Sequence, residues 1–219
     1  MSEPVCGDGR DLAEEELAKI RKGADELCAR LLGAMKGPSG EVHPQSALCA
    51  LGSCAGYSCQ KDVRDIYMKQ RGLAEDLVFN IVSDKQGRHY FFGDLLNAPL
   101  VNDRYSLWSM VGGAVRQRGG TLPDINDIFR YISYTVGGEQ FGKVRSCRTG
   151  DSMETYLENL WQPLSRIAAE YAPEGALHTV FGTALQKLVY AFASSMNVTE
   201  AARIAMESAV SMSKVRLGR

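Results

Sequence analysis

The 219-residue sequence has few of the features that point to membranes, nucleic acids or secretion. No apolar run reaches the roughly 18 residues that a membrane-spanning helix needs. The formal net charge is -1, and acidic and basic residues are mixed along the chain, so no basic patch indicates a nucleic acid or an anionic membrane. The first residues are polar and then acidic, unlike the basic start and apolar run of a signal peptide. These absences predict a soluble cytoplasmic protein.

The six cysteines are too few, and too irregularly placed, for a disulfide-stabilised small domain or a C-x-x-C site. Cys49, Cys54 and Cys59 are spaced by five residues, which turns successive thiols by about 140° on a helix. Thiols placed in this way cannot converge on one metal ion. The spacing predicts small buried side chains, and a reactive thiol at Cys54 or Cys59 is the alternative interpretation.

Recognisable catalytic and cofactor motifs are also lacking. His43, His89 and His178 are the only histidines, and none lies in H-E-x-x-H or a similar ligand pattern. Neither G-x-S-x-G nor the phosphate-binding G-x-x-x-x-G-K-[ST] occurs. The sequence therefore predicts no metal and no cofactor, and it leaves any catalytic residue unknown. His43 and His178 are both expected to be structural or exposed.

The most informative feature that is present is a stretch of small side chains over residues 47–59. Ten of these thirteen residues are Ala, Gly, Ser or Cys. Gly52 and Gly56 lie one helical turn apart and leave a groove, so another element can approach the backbone closely. The pattern predicts a central helix over residues 45–70 that begins near Pro44.

The chain changes its hydrophobic period after residue 76. Residues 77–83 and 88–92 are rich in β-branched and aromatic side chains, and residues 84–87 fit a turn closed by a glycine with positive φ. A β-hairpin is predicted over residues 77–92. Two strands are marginally stable alone, so helices, a third strand or a second copy of the chain must cover them. Residues 143–147 are the best internal candidate for a third short strand, and a homodimer is the other solution.

The remaining segments have helical periodicity. The predicted fold is therefore α+β and predominantly helical, with six to seven helices around the central helix and one hairpin. A loosely ordered tail over residues 1–10 is expected to precede a single globular domain over residues 11–219. The polar loop 138–151 is the one candidate for an internal boundary.

A polar cluster follows the second predicted strand. If that strand ends at Phe92, then Gly93 makes a turn, Asp94 caps a short helical turn and Asn97 ends it. Strand exits of this kind often carry binding sites, because loops anchored to rigid elements place polar groups at a surface. The hypothesis is a ligand-binding pocket between the helices and the hairpin exit. Its candidate residues are Tyr57, His89, Asp94, Asn97 and Arg104.

Three classes of function stay open. An interaction or regulatory module that acts as a homo-oligomer is favoured, because no catalytic motif occurs and a hairpin edge can accept a strand. Its partner would be itself or another protein, and neither a nucleic acid nor a membrane. The first alternative is a small-molecule-binding protein or enzyme with the pocket at the hairpin exit, where His89, Asp94 and Asn97 would act. The second alternative is a thiol-based sensor.

Overall fold

A computed structural model of the chain describes residues 11–146 and 149–218. Seven of its helices have eleven residues or more in these two ranges, which agrees with the predicted number. The predominantly helical α+β class is confirmed. The predicted tail over residues 1–10 lies outside the described residues. In chain order the elements are α1 (Glu14–Ala34), α2 (Pro44–Val63), α3 (Glu75–Val78), β1 (Asn80–Ser83), β2 (His89–Phe92), α4 (Asp94–Asn97), α5 (Leu107–Gln117), α6 (Ile125–Thr135), α7 (Met153–Tyr171), α8 (Leu177–Phe192) and α9 (Val198–Met212).

Helix α2 is the centre of the fold, as the small-residue stretch predicts, and wider π-helical turns extend it over Arg64–Gln70. Its closest neighbour is α9, which is also rich in Ala and Ser and is buried on nearly every side. A Cβ atom added to Gly52 would lie 2.6 Å from the carbonyl oxygen of Ala205, and one added to Gly56 would overlap the carbonyl oxygen of Ala209. The two backbones can approach so closely only because these two positions are glycine.

The hairpin forms around the predicted turn but is shorter than predicted. Asn80 pairs with Phe92 and Ser83 with His89 in an antiparallel register, and Gly87 closes the turn with φ 79°. Residues 77 and 78 belong to α3 instead of the first strand, so this part of the prediction is wrong. The helical turn is stabilised because the Glu75 carboxylate pairs with two arginines, and its carbonyl oxygen accepts the Phe79 N–H at 2.9 Å.

The carboxyl-terminal segment covers the free side of β2. The N–H group of Phe91 donates to the carbonyl oxygen of Lys214 at 2.9 Å. The side-chain amide of Gln60 donates to the carbonyl oxygens of Ser213 and Val215, at 2.7 and 3.0 Å, and so ties this segment to α2. Tyr90 and Phe91 of β2 are therefore buried within the chain, and Phe92 is partly buried.

The predicted third strand over residues 143–147 does not form in its described part, residues 143–146, and Cys147 lies outside the described residues. Arg145 instead forms polar contacts with two helices. Its backbone N–H donates to Glu207 on α9 at 3.0 Å, and its guanidinium pairs with Glu207 at 2.7 Å and with Asp127 on α6 at 2.8 Å. Because Glu207 is fully buried, its charge needs this partner, and the ion pairs prevail over strand pairing.

Among the described residues, no helix is both long and apolar enough to cross a bilayer. The single domain over residues 11–219 and its candidate boundary at 138–151 stay predictions.

Candidate functional site

Asp62 lies in the last turn of α2 and reaches the start of α8. Only 4% of Asp62 is exposed. Its Oδ1 atom accepts a hydrogen bond from the N–H of Leu177 at 2.9 Å, and Oδ2 accepts one from the N–H of His178 at 2.8 Å. The residue that precedes the helix, Ala176, cannot supply a side-chain cap. A carboxylate from another helix therefore caps α8 and interacts favourably with the positive end of the helix dipole.

The same carboxylate also orients the imidazole of His178. Nδ1 of His178 lies 2.7 Å from Oδ2 of Asp62, and only 8% of the histidine is exposed. An ionised carboxylate only accepts hydrogen bonds, so Nδ1 carries the proton, and in the neutral ring Nε2 has the free lone pair. Within the described part of the chain, no hydrogen bond engages Nε2. A buried carboxylate that holds an imidazole in one tautomer is the arrangement by which a histidine is prepared as a general base.

His178 lines a cavity of about 280 Å³, which we call the dyad cavity. The π-helical turns after α2, the loop that follows residue 102 and the loop before α8 form its walls. Leu12 and Ile66 contribute apolar surface. The polar side chains that matter for its chemistry are Tyr67, Arg71, Asp103, Arg104, Tyr105 and His178.

A second cavity, of about 420 Å³, lies beside the dyad cavity. Asp62 lines this second cavity, and both cavities share the loop residues Pro173, Glu174 and Gly175. Gly175 has φ 69°, a left-handed conformation that lets the chain turn sharply into α8. The Asp62–His178 pair therefore lies between two cavities, with the imidazole on the side of the dyad cavity.

Asp103 is the second titratable group near His178. It is half-buried, and burial raises the pKa of its carboxyl group, while the nearby His178 acts in the opposite direction. A carboxyl group with a raised pKa exchanges a proton more readily near neutral pH than an ordinary aspartate does. Together, a histidine with a free Nε2 and a carboxyl group of raised pKa can accept and return a proton in one cavity.

Two arginines at the cavity each lie against a tyrosine. The guanidinium of Arg71 is 4.7 Å from the ring centre of Tyr67, and that of Arg104 is 5.4 Å from the ring centre of Tyr105. Arg104 also forms an ion pair with Asp11. Arg71 forms no ion pair in residues 11–146 and 149–218. The cavity therefore combines apolar walls, an acid–base pair and one cation without a carboxylate partner.

The structure places the five predicted site residues apart. Arg104 lines the dyad cavity, whereas His89 lines a different cavity of about 500 Å³ beside the hairpin. Tyr57 packs its ring edge-on against Trp161 at 4.7 Å, and burial raises the pKa of its hydroxyl group. No hydrogen bond or ion pair joins any two of the five in the described part of the chain. Their roles in binding stay predictions.

The predicted local geometry at the hairpin exit is wrong in two details. Gly93, with φ 131°, precedes α4, and Asp94 is the first residue of this helix and gives no side-chain cap. Asn97 does not end the helical turn, because π-helical turns continue over Ala98–Asn102. Asp94 is exposed, and neither Asp94 nor Asn97 makes a side-chain hydrogen bond within the described residues. The chain continues as a helix here because Leu96 and Leu100 are fully buried in the core.

Asp62 and His178 were not predicted from the sequence. They are 116 positions apart, and each resembles an ordinary helical residue in its local context. The one available signal is the lack of a capping residue before α8, which implies an acceptor from elsewhere without indicating which one.

Comparison with family models, with curated proteins and with solved structures found no match to this chain. In the ranges that the structure describes, no group of three or more His, Cys, Asp or Glu side chains is placed to hold a metal ion. The function of the chain must therefore be inferred from its own geometry.

Proposed function

We propose that the chain is a small-molecule enzyme that uses Asp62 and His178 for acid–base chemistry in the dyad cavity. One observation carries the proposal: the 2.7 Å contact between Nδ1 of His178 and Oδ2 of Asp62, which leaves Nε2 free in a side chain that lines a cavity. The proposal belongs to the small-molecule class that the sequence kept as its first alternative. It differs in the site, which is the start of α8 instead of the hairpin exit.

The roles of the residues follow from their contacts. Nε2 of His178 takes a proton from a substrate hydroxyl group, a bound water molecule or an acidic C–H group. The resulting imidazolium is stabilised by the carboxylate of Asp62, which also accepts hydrogen bonds from two backbone N–H groups. The proton then returns from Nε2 to the product, with the carboxyl group of Asp103 as a second proton carrier.

A structural role for the pair is the competing explanation. Asp62 caps α8, and a histidine that only supports this cap would need no access to Nε2. The two explanations differ in the reactivity of Nε2. A reagent that acylates neutral imidazole, diethyl pyrocarbonate, measures this reactivity directly.

We expect the folded protein to be acylated at His178 at a rate comparable to that of the exposed His89, as measured by peptide mass spectrometry. Asp62→Asn should slow the reaction at His178 by about tenfold, because the carboxylate no longer selects the tautomer in which Nε2 has the free lone pair. Asp65→Asn is the matched control, since this carboxylate lies one turn along and pairs with Lys61 and Lys69 instead. An unmodified His178 beside a fully modified His89 would contradict the proposal.

A screen with esters, phosphate esters and hydroxy acids tests for catalysis. Any activity found should fall by at least about 100-fold in kcat/KM in His178→Gln, because general-base catalysis typically contributes factors of this size. His89→Gln should leave it unchanged. An activity that survives His178→Gln does not come from the dyad cavity.

The homo-oligomeric interaction module stays a second proposal, favoured by the outer edge of the hairpin. In the described sheet β1 pairs only with β2; Val82 on β1 is 46% exposed, and Leu77, in the short helix α3 that precedes β1, is 71% exposed. An open edge with apolar side chains favours strand addition by a second copy of the chain. Sedimentation at micromolar concentration should then give a dimer that Val82→Lys dissociates. A monomer of 24.0 kDa would contradict this proposal.

The thiol-based sensor has the least support. Cys54 and Cys59 are fully buried, and burial raises the pKa of both thiols. Because the thiolate is the reactive form, such thiols react slowly.

A further inference from the structure

We infer that the ligand of the dyad cavity carries a small oxyanion group, a carboxylate or a phosphate, which Arg71 binds beside His178. The inference rests on the proposed function of the Asp62–His178 pair and adds the chemical class of the substrate.

Arg71 is held in place although it forms no ion pair in the described part of the chain. It follows the π-helical turns after α2, where its N–H donates to the carbonyl oxygen of Ile66 at 3.2 Å. Two residues later, the backbone N–H of Leu73 donates to the carbonyl oxygen of Tyr67 at 3.0 Å. The guanidinium lies 4.7 Å from the ring centre of Tyr67. A guanidinium that lies over a tyrosine ring in this way is restrained by the ring face, and its N–H groups can still bind an oxyanion in a bidentate manner.

The other charged groups of the cavity are engaged or weakened. Arg104 pairs with Asp11, and Glu174 accepts a hydrogen bond from Gln70 at 2.8 Å. The carboxyl group of Asp103 has a pKa raised by burial, so its negative charge is more easily lost than that of an exposed aspartate. Arg71 is therefore the cation of this cavity that has no carboxylate partner within the described residues, and an anionic ligand complements it.

The size and walls of the cavity restrict the rest of the ligand. A volume of about 280 Å³ is just below the usual range of small-molecule pockets, roughly 300 to 1,000 Å³. Leu12, Ile66 and Pro173 offer apolar contacts to a short carbon skeleton. A small organic acid or a small phosphate monoester fits this combination, with its reacting O–H or C–H group directed toward Nε2 of His178.

Titration of the ¹⁵N-labelled protein with acetate, inorganic phosphate and acetamide tests the inference. The readouts are two backbone amides: that of Gly72, which follows Arg71 in the chain, and that of Gly175, which lines the cavity. Acetate or phosphate should shift these resonances in a saturable way, and the uncharged acetamide should not. Tighter binding of acetate identifies a carboxylate as the preferred group, and tighter binding of phosphate identifies a phosphate.

Arg71→Gln should weaken the binding of the preferred anion by at least about tenfold, because the charged donor is lost. Arg118→Gln is the matched control. Arg118 also lies over a tyrosine, 3.8 Å from the ring centre of Tyr190, but it does not line the dyad cavity. Equal shifts with acetamide and acetate, no shift with either anion, or unchanged affinity in Arg71→Gln would overturn the inference.

The acylation rate of His178 separates failure of this inference from failure of the proposed function. A reactive His178 that depends on Asp62, without anion binding, would overturn only the anion site. Anion binding that depends on Arg71, with an unreactive His178, would overturn the proposed function and support the anion site.

Discussion

Helix α2 contacts its neighbours in two different ways. In its small-residue part, residues 47–59, Gly52 and Gly56 let α9 approach until backbone touches backbone, and this steric contact depends on shape alone. In its last turn, Asp62 contacts α8 through three hydrogen bonds, and this polar contact depends on charge and direction. A close steric contact requires small side chains, which are visible in the local sequence. A polar contact requires one suitable residue on each side, and neither residue is unusual by itself.

The largest expected effect comes from disrupting the steric contact between α2 and α9. Gly56→Ala should lower the free energy of unfolding by about 3 kcal/mol or more, and Gly56→Leu should prevent folding, because even a methyl group overlaps the Ala209 carbonyl. Gly33→Ala on α1 is the control, since a Cβ there meets nothing within 4 Å. The control should gain up to about 1 kcal/mol. Urea denaturation measures both, and an unchanged stability of Gly56→Ala would contradict the close α2–α9 contact.

The next largest effect comes from disrupting the polar contact between Asp62 and the start of α8. Asp62→Ala leaves the N–H groups of Leu177 and His178 and the Nδ1 proton without their acceptor, which should cost about 2 to 4 kcal/mol. Asp65→Ala should cost less than about 1 kcal/mol, because its ion pairs lie near the surface. Equal losses in the two variants, measured by urea denaturation, would show that the cap on α8 contributes nothing special.

A third effect comes from a buried charge at the end of α9. Lys214 is 1% exposed, its ammonium lies 5.2 Å from the ring centre of Phe92 and 5.6 Å from that of Phe129, and no ion pair holds it within the described residues. Burial lowers its pKa from 10.5 to about 7. Between these two values the unfolded chain binds the proton and the folded chain does not, so stability should rise with pH across this window.

Lys214→Met should remove that rise and should stabilise the protein by roughly 1 to 3 kcal/mol below pH 7, where the folded protein must bury a charged amine. The exposed Lys143→Met is the control and should leave the pH dependence unchanged. Denaturation curves over this pH range measure the difference between variant and parent. A parallel pH dependence in parent and Lys214→Met would contradict a lowered pKa at Lys214.

The smallest expected effect concerns the three cysteines in the small-residue part of α2. Cys49, Cys54 and Cys59 are buried, and burial raises the pKa of each thiol, so a bulky thiol reagent should label them only after denaturation. Cys28, with a pKa raised to about 11, should react slowly as well. Mass spectrometry of labelled peptides gives the rates. Fast labelling of Cys54 or Cys59 in the folded protein would favour the thiol-based sensor. Cys6 belongs to the predicted loose tail over residues 1–10, outside the described residues, and is expected to label readily.

Much of the fold was predictable because its determinants are local. The small residues of α2, the helical periodicity of the long segments and the glycine at residue 87 each restrict the backbone or one face of an element. The candidate site was not predictable in this way. Asp94 and Asn97 have the composition of a site, yet they lie on a short helix without side-chain hydrogen bonds, while His178 was expected to be structural or exposed.

By itself the sequence determined the predominantly helical class, the central helix and the hairpin turn, since backbone preference and hydrophobic period act over a few residues. Only the tertiary structure decided which elements meet. In it α9 packs against Gly52 and Gly56, and the carboxyl-terminal segment covers β2. Asp62 caps α8 and contacts His178. These choices depend on which buried backbone and charged groups find partners across the whole chain, and no local pattern records that balance.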